Sequence, residues 1–523
     1  MASTPQAYGA TPGWRTACLV VAALTLVRLL TLFVTPLELY PDEAQYWLWS
    51  RTLDFGYFSK PPMVAWAIWL TTKIGGDAEG WVRLSAPIWH AGAGLGVYAL
   101  GRRLYDARTG FTALALYMLM PGVQLSSAVI ATDAPLLCFV AAALVAYVSA
   151  FYSENRKARL VWAAAYGAFL GLAFLSKYAA VYVVVGAILH RLVSARARAA
   201  FGWSETAIAA LVLGLTLAPN MVWNARHGFA TLQHTAANAD WSAGGLFDLR
   251  NLAEFLLSQF GVFGPAPFAA LLIGCGLVAL KRDWRQADLL LMCFALPPLL
   301  LVAGQAFINR ANANWAGAGF VAAAVLAAAW LVRWRAKVWL NAAVLSQGVV
   351  AALFLTCILA PSVAERLGLA NSFKRAKGWE AMTEQVIERA RTEPGLTSIA
   401  VNDRFLFNAA SYYGRDALRS GALPPLVMWL RAATPQTQAE LTDPLTPMLG
   451  RKVLAVSLEN VWLDEMRADF TTTADLEIIS VRLDRARQRS ATLFTGTRFE
   501  PAPRDPTTGL PVGPQLRGSY GAP

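Results

Sequence analysis

A series of apolar runs, separated by short breaks rich in arginine, occupies most of the chain between residues 14 and 360. A helix needs about 20 apolar residues to cross a bilayer, and many of the runs reach that length. The chain is 56% hydrophobic and only 15% charged, whereas a soluble domain is usually about 25% charged. The sequence therefore predicts a multi-pass α-helical membrane protein. Its eleven predicted spans are 14–35, 81–100, 109–124, 134–151, 160–176, 178–192, 203–222, 252–280, 287–308, 313–332 and 338–360.

The distribution of Lys and Arg between the connecting segments predicts the orientation of these spans, because cytoplasmic loops carry an excess of both. With residues 1–13 in the cytoplasm, the inner connections hold fifteen Lys and Arg, and the outer connections after the first loop, 125–133, 177, 224–251 and 309–312, hold four. An odd number of spans then places the C-terminal region in the periplasm of a bacterial inner membrane. The inner connections are 101–108, 153–159, 191–198, 281–286 and 333–337.

These connections account for most of the net charge of +12, so the charge does not indicate a nucleic-acid partner. All five cysteines lie in apolar runs, where they act as small hydrophobic residues. Their positions predict neither a disulfide framework nor a metal motif. Arg28 lies within the first predicted span, where a charge is costly unless it is paired, and the sequence names no partner for it.

After residue 361 the hydropathy falls and the pattern becomes that of a small α/β domain. We therefore predict a membrane domain over 14–361, with a first outer loop at 36–80 that contains interfacial helices, and a periplasmic domain over 362–500. The Pro- and Gly-rich tail, 501–523, is predicted to be disordered. The predicted elements of the periplasmic domain are helices over 374–393 and 404–414 and strands over 397–402, 425–430, 452–457 and 476–482.

The first outer loop carries the densest group of polar and aromatic side chains. Asp42 and Glu43 begin a helix-like segment in which Asp42 and Tyr46 share a face. Tyr57 precedes Lys60, and the two prolines after Lys60 restrict its backbone to extended geometry. An ammonium held in this way suits a phosphate group. In the structural alternative, the acids favour the helix dipole, the aromatic rings anchor the interface and Lys60 extends toward lipid headgroups.

A second acid, Asp133, begins the fourth predicted span on the same side of the membrane. The alternative is that it only caps that helix, because Thr132, Asp133 and Pro135 form a common N-terminal pattern. Cationic and amide groups at other outer span ends would together neutralise a lipid-linked phosphate or a sugar carboxylate. These groups are Lys177, Arg226, His227, His234, Arg310 and Asn314. Because His227 and His234 lack the i,i+4 spacing of a helical zinc pair, no metal site is predicted.

Four motifs resemble those of GT-C glycosyltransferases, in the branch of protein O-mannosyltransferases, lipid A aminoarabinose transferases and lipopolysaccharide galacturonosyltransferases. The motifs are PDEAQYW (41–47), SKPPM (59–63), TDAP (132–135) and LSKY (175–178). The resemblance implies a GT-C-like fold with an outer-face cavity. There a polyprenyl-phosphate sugar donor meets its acceptor, which is lipid A, lipopolysaccharide or a protein.

By motif position, the resemblance implies that Asp42 is the base, that Lys60 contacts the donor phosphate and that Asp133 is a second catalytic acid. The residue types and their outer positions add Glu43 as a further catalytic acid, and Lys177 and Arg310 as expected donor-phosphate contacts. The expected substrate contacts are Tyr46, Tyr57, Arg226, His227, His234 and Asn314. One departure from the pattern is Gln45, because aminoarabinose transferases usually place a basic residue soon after the paired acids.

A polyprenyl phosphate is a good leaving group, so transfer needs a base for the acceptor hydroxyl and cations for the departing phosphate. No nucleotide-binding glycine loop follows a strand, which fits a donor activated elsewhere. One candidate base without a second nucleophile predicts a single inverting displacement. Whether a divalent metal takes part stays open. Two other functions also stay open, namely mannosyl transfer to secreted proteins and transport of a lipid or sugar, although transporters place their polar groups near the midplane.

Overall fold

The computed structural model describes residues 13–237, 247–281, 284–505 and residue 512. The predicted cytoplasmic segment 1–13 and the predicted disordered tail 501–523 lie mostly outside the described residues. Short 3-10 helices occur at Tyr178–Ala180, Ala313–Gly319 and Ala370–Ala376.

The α-helices are α1 Trp14–Val34, α2 Pro41–Arg51, α3 Met63–Gly75, α4 Glu79–Arg83, α5 Ser85–Leu104, α6 Ala107–Met118, α7 Pro121–Ala128, α8 Asp133–Phe151, α9 Arg156–Ser176, α10 Val181–Val193, α11 Ala195–Ala200, α12 Trp203–Arg226, α13 Ala230–Ala237, α14 Leu249–Val262, α15 Pro265–Lys281, α16 Gln286–Ile308, α17 Phe320–Arg333, α18 Lys337–Leu359, α19 Pro361–Arg366, α20 Trp379–Thr392, α21 Arg404–Tyr413, α22 Arg415–Arg419, α23 Gln438–Thr442 and α24 Leu463–Ala468. The strands are β1 Ser398–Val401, β2 Leu426–Met428, β3 Lys452–Leu458, β4 Phe470–Arg482 and β5 Gln488–Phe499.

Among the described residues, seven helices are long and apolar enough to cross a membrane, and two bent helix pairs raise the number to nine. Two predicted spans are missing from this set. The segment 81–100 falls in α4 and the less apolar α5, and the segment 178–192 forms a 3-10 turn followed by the short α10. The prediction of a multi-pass helical membrane protein is therefore confirmed, whereas the number of eleven spans is not.

The predicted span 252–280 is not one continuous helix, because α14 and α15 differ in direction by 118°. Gly264, between them, has a φ of +102°, which L side chains rarely adopt. Pro265 then offers no backbone N–H to continue the first helix. The side-chain amide of Gln347 donates to the Phe263 carbonyl at 2.9 Å, so this carbonyl has a partner despite the break.

A second break, of 57°, separates α6 from α7. At this break the Met118 carbonyl accepts two side-chain hydrogen bonds. The donors are the Arg28 guanidinium at 2.5 Å and the Gln124 side-chain amide at 2.7 Å. Arg28 also donates to the Gln124 side-chain oxygen at 3.2 Å. The sequence named no partner for Arg28, and the structure provides two at the break between α6 and α7, the Met118 carbonyl and Gln124. Arg28 in turn helps to satisfy a backbone group that must find its partner inside the protein.

Two ion pairs tie together helix ends next to the Arg-rich connections. Arg159 donates to Glu205 at 3.0 Å, which joins the beginnings of α9 and α12. Arg333 holds the buried Asp288 with two hydrogen bonds of 2.6 and 2.8 Å, and the Tyr105 hydroxyl donates to the same carboxylate at 2.7 Å. Bidentate geometry of this kind gives Arg–carboxylate pairs their strength and direction.

The chain forms two compact units. The first comprises Met1–Val34 and Asp54–Thr356, and the second comprises Thr35–Leu53 and Cys357–Pro523. The predicted first loop, 36–80, is therefore divided between them. Helix α2, with Asp42, belongs to the same unit as the α/β elements.

The second unit contains a five-stranded sheet in the order β2-β1-β3-β5-β4. Strands β2, β1 and β3 are parallel, and β5 pairs antiparallel with both β3 and β4. Helix α2 packs on α21 in this unit, where the Trp47 and Tyr412 rings meet edge to face with centroids 4.9 Å apart. The Leu39 N–H donates to the Tyr413 hydroxyl at 2.8 Å, and the Trp379 N–H donates to the Glu38 carboxylate at 2.5 Å.

In the first unit, α9 and α12 pack closely through small residues. A Cβ added at Gly167 would lie 2.2 Å from the Ala209 carbonyl oxygen, and one added at Gly171 would lie 2.6 Å from the Thr216 side chain. Glycines four residues apart let two membrane helices approach through their backbones.

We expect Gly167→Leu to lower the thermal midpoint of the purified protein, because the new side chain meets backbone that cannot rotate away. Overpacking of this kind costs about 1–3 kcal/mol. The matched control is Gly214→Leu on α12, where an added Cβ meets nothing within 4 Å. Equal midpoints for the two variants would contradict the close packing of α9 on α12.

Candidate active site

Three predicted site residues lie together at one end of the α8–α9 pair. Asp133 is the first residue of α8, and Lys177 follows the last residue of α9. The two helices are sequential and packed side by side, so these positions meet. The Lys177 ammonium donates to one oxygen of Asp133 at 2.8 Å, and the Asn314 side-chain amide donates to the other oxygen at 3.3 Å.

The Asp133 carboxylate does not cap its own helix. The N-cap of α8 is Thr132, and it makes no side-chain capping bond. The carboxylate is directed toward Lys177 and Asn314 instead. The capping interpretation therefore does not describe this acid, and the arrangement is a partly buried ion pair with 18–19% of each side chain exposed. Lys177 binds Asp133, and its ammonium has further N–H groups for an anion.

The loop that carries Lys60 is fastened to the end of α12. The Trp223 indole donates to the Asp54 carboxylate at 2.6 Å, and the Asn220 side-chain amide donates to the Phe55 carbonyl at 2.6 Å. Gly56 lies against the indole so closely that a Cβ there would be 2.4 Å from the ring. The Lys60 carbonyl accepts from the Tyr57 N–H at 3.1 Å, which closes a turn just before the two prolines.

Tyr57, a predicted substrate contact, is only 4% exposed. Its hydroxyl accepts a hydrogen bond from the Asp54 N–H at 3.2 Å, and its carbonyl accepts one from the Thr231 hydroxyl at 2.7 Å. Burial raises the pKa of Tyr57 to about 12. The structure thus uses Tyr57 to hold the Lys60 loop.

The remaining predicted cations of the first unit are spread over α12, α13 and the segment after α16. His227 stacks on the Trp223 ring with centroids 4.1 Å apart, and its Nδ1 bonds to the Trp223 carbonyl at 2.8 Å. The His234 ring lies 6.0 Å from that of Phe58. Arg226 and Arg310 are exposed. No group of three or more His, Cys, Asp or Glu side chains suited to a metal occurs in the described part of the chain.

In the second unit, the two neighbouring acids have different environments. The Asp42 side chain is 44% exposed and lies 3.7 Å from the Arg404 guanidinium. Glu43 is fully buried, and its carboxylate accepts the Tyr40 N–H at 2.8 Å, which completes a capping box at the start of α2. Tyr46 is 6% exposed and packs beside Trp49.

The sequence did not single out the side chains that support these residues. Asn220, Trp223 and Thr231 follow Lys60 by more than 150 residues, and Arg404 follows Asp42 by more than 350. The only sequence signal was that 404–414 was predicted as a helix. Asp133, Lys177 and Asn314 lie together, whereas Asp42 lies in the second unit and Lys60 in the first.

Comparison with known proteins identifies relatives of this chain. A family model for dolichyl-phosphate-mannose-protein mannosyltransferase matches residues 59–223. The lipid A galacturonosyltransferase RgtD of Rhizobium johnstonii is 35% identical over 77% of this chain and 83% of its own length. The crystal structure of ArnT from Cupriavidus metallidurans bound to undecaprenyl phosphate matches 92% of this chain and 98% of that chain, with a TM-score of 0.64 and 16% identity. An oligosaccharyltransferase of Archaeoglobus fulgidus matches 84% of this chain and 67% of that chain, with a TM-score of 0.50 and 14% identity.

We expect Asp133→Asn and Lys177→Met to be strongly non-additive in thermal stability, since the two side chains are each other's partner. Residues in contact show coupling on the order of 1 kcal/mol, whereas distant residues add independently. The control combines Lys177→Met with Glu205→Gln, because Glu205 of α12 pairs with Arg159 near the start of α9, whereas Lys177 follows the last residue of α9. Additive shifts in the thermal midpoint for the Asp133 and Lys177 pair would show that the ion pair is absent.

Proposed function

Because the chain belongs to the GT-C family of polyprenyl-phosphate-sugar glycosyltransferases, we propose that it transfers a sugar from such a donor to a lipid A or lipopolysaccharide-type acceptor at the periplasmic face of the inner membrane. The observation that carries the choice of acceptor is the 35% identity to a lipid A galacturonosyltransferase over 83% of that relative. Donor, acceptor and membrane lipid are the partners of this reaction.

The periplasmic orientation rests on the charges of the connections. The five inner connections hold fifteen Lys and Arg, against four in the outer connections that follow the first loop. The Arg159–Glu205 pair lies next to an inner connection, and the Asp133–Lys177 pair lies toward the opposite end of the same helix, α9. This separation supports a periplasmic position for Asp133 and Lys177.

We assign the role of base to Asp42. Its carboxylate removes the proton of the acceptor hydroxyl while the hydroxyl oxygen bonds to the anomeric carbon and the polyprenyl phosphate departs with the bonding electron pair. The exposure of Asp42 supports this choice over Glu43, whose carboxylate is buried in the capping box. A single displacement of this kind inverts the anomeric carbon.

The donor phosphate is assigned to Lys60 and Lys177. Lys60 lies on a loop that Trp223 and Asn220 fasten, so its ammonium needs little reorganisation to meet a phosphate. Lys177 is oriented by Asp133, which itself has Asn314 as a second partner. Asp133 thus acts here by holding a cation.

A second function, mannosyl transfer to secreted proteins, is favoured by the family model that matches residues 59–223. That segment contains Lys60 and Lys177, which contact the donor in the proposal above, and Asp133, which holds Lys177. The family match therefore bears on how the donor is used more than on which acceptor receives the sugar.

We expect lipid A or lipopolysaccharide from cells that express the protein to carry one additional sugar, which cells without the gene lack. Mass spectrometry of lipid A, core and secreted glycoproteins makes the comparison. Nuclear magnetic resonance of the isolated product should show the anomeric configuration opposite to that of the donor. Sugar found only on protein would favour the mannosyltransferase alternative, and retained configuration would contradict the single displacement.

We expect Asp42→Asn to reduce transfer by about 100-fold or more, since general base catalysis contributes about 10²–10⁴ in rate. Glu43→Gln should retain most activity, because the amide oxygen can still accept the Tyr40 N–H. Asp416→Asn, at an exposed acid of the same unit, is a control for the general effect of losing a carboxylate. Rates are measured with membranes and a labelled lipid donor. Equal loss in Asp42→Asn and Glu43→Gln would remove the distinction between the two acids.

A further inference from the structure

The second unit places one guanidinium beside Asp42, and the sequence gives it no obvious purpose. Arg404 is the first residue of α21, and its position is fixed because Asp403 caps that helix by accepting the N–H groups of Phe405 and Leu406 at 2.8 and 3.1 Å. Arg404 therefore projects from a defined helix terminus toward α2.

Three groups surround the Arg404 guanidinium. It lies 4.6 Å from the centre of the Phe405 ring. One of its nitrogens donates to the side-chain oxygen of Gln45 at 3.2 Å and lies 3.7 Å from an oxygen of Asp42. Gln45 follows Asp42 by three residues, so both lie on the same side of α2. Asn408, one turn further along α21, contacts the same Gln45 oxygen at 3.5 Å.

We propose that Arg404 is a positioning residue for the Asp42 carboxylate, contributed by the α/β part of the second unit. The proposal rests on the assignment of Asp42 as the base. The distance of 3.7 Å exceeds a hydrogen bond, so Arg404 orients the carboxylate by charge without donating a proton to it. From the described residues of its own unit Asp42 accepts no hydrogen bond, which leaves its oxygens available for the acceptor hydroxyl.

A purely structural role is a weaker explanation of this contact. Both side chains are about 40% exposed, at 39% for Arg404 and 44% for Asp42. Ion pairs this exposed add little to folding. The α2–α21 contact already has buried apolar partners in Trp47 and Tyr412. Loss of Arg404 should therefore affect turnover more than folding.

The test compares two single variants, Arg404→Gln and Arg404→Lys, with one double variant. The double variant, called the relocation variant, combines Gln45→Arg with Arg404→Gln. It moves the guanidinium from α21 to α2, on the side of α2 that carries Asp42. We expect Arg404→Gln to lower kcat by about 10- to 100-fold, as misplacement of a reacting group does. The KM of donor and acceptor and the thermal midpoint should change little. Arg404→Lys and the relocation variant should recover part of kcat. Arg391→Gln, at an exposed arginine of α20, is the matched control.

The outcomes separate this proposal from the function on which it rests. If Asp42→Asn abolishes transfer but Arg404→Gln leaves kcat unchanged, only the role of Arg404 is wrong. If Asp42→Asn remains active, the assignment of the base is wrong, and the role of Arg404 is wrong with it. A rise in KM alone would show that Arg404 binds an anionic substrate group and would also overturn the positioning role. A fall in thermal midpoint that Arg404→Lys does not reverse would show a structural role.

Discussion

Backbone groups inside a bilayer must find partners within the protein, because the lipid offers none. Among the described residues, two apolar helix pairs bend sharply at a short break, and both breaks meet that requirement with side chains. Arg28 and Gln124 satisfy Met118 at one break, and Gln347 satisfies Phe263 at the other. These contacts let α7 and α15 depart from the directions of the helices before them without leaving those carbonyls unpaired.

The same requirement explains where the charged pairs of the first unit lie. Arg159–Glu205 and Asp133–Lys177 lie toward opposite ends of α9, and the helix between them is apolar. Carboxylates are tolerated at these ends because each has a cation within hydrogen-bonding distance. Arg28 differs from these pairs, because it is buried within α1 and is satisfied there by Met118 and Gln124.

The sequence was sufficient for features that depend on local composition or spacing. Hydropathy predicted most spans, and the strand and helix patterns of 397–402, 404–414 and 452–457 agree with β1, α21 and β3. It was insufficient where a distant group decides the outcome. Strand β5 was missed because its Ser, Thr and Gly residues give little hydropathy signal, although it pairs on both edges and lies inside the sheet.

The candidate site shows the same limit. Proximity of Asp133 to Lys177 follows from two sequential helices, so it was accessible to a sequence argument about span ends. The different environments of Asp42, which is exposed, and Glu43, which caps α2, were not accessible to such an argument. They depend on which side of α2 packs against the rest of its unit. The contact of Arg404 with Gln45 joins residues more than 350 positions apart and has no local signature.

The division of the chain into two units has a consequence for biosynthesis. Helix α2 emerges from the ribosome early, but the helix on which it packs, α21, lies more than 350 residues later. At about 5–20 residues per second, translation of that interval takes roughly twenty seconds to more than a minute. During this time the helix with Asp42 has no partner within its unit. The packing surface of α2 is therefore completed only near the end of synthesis.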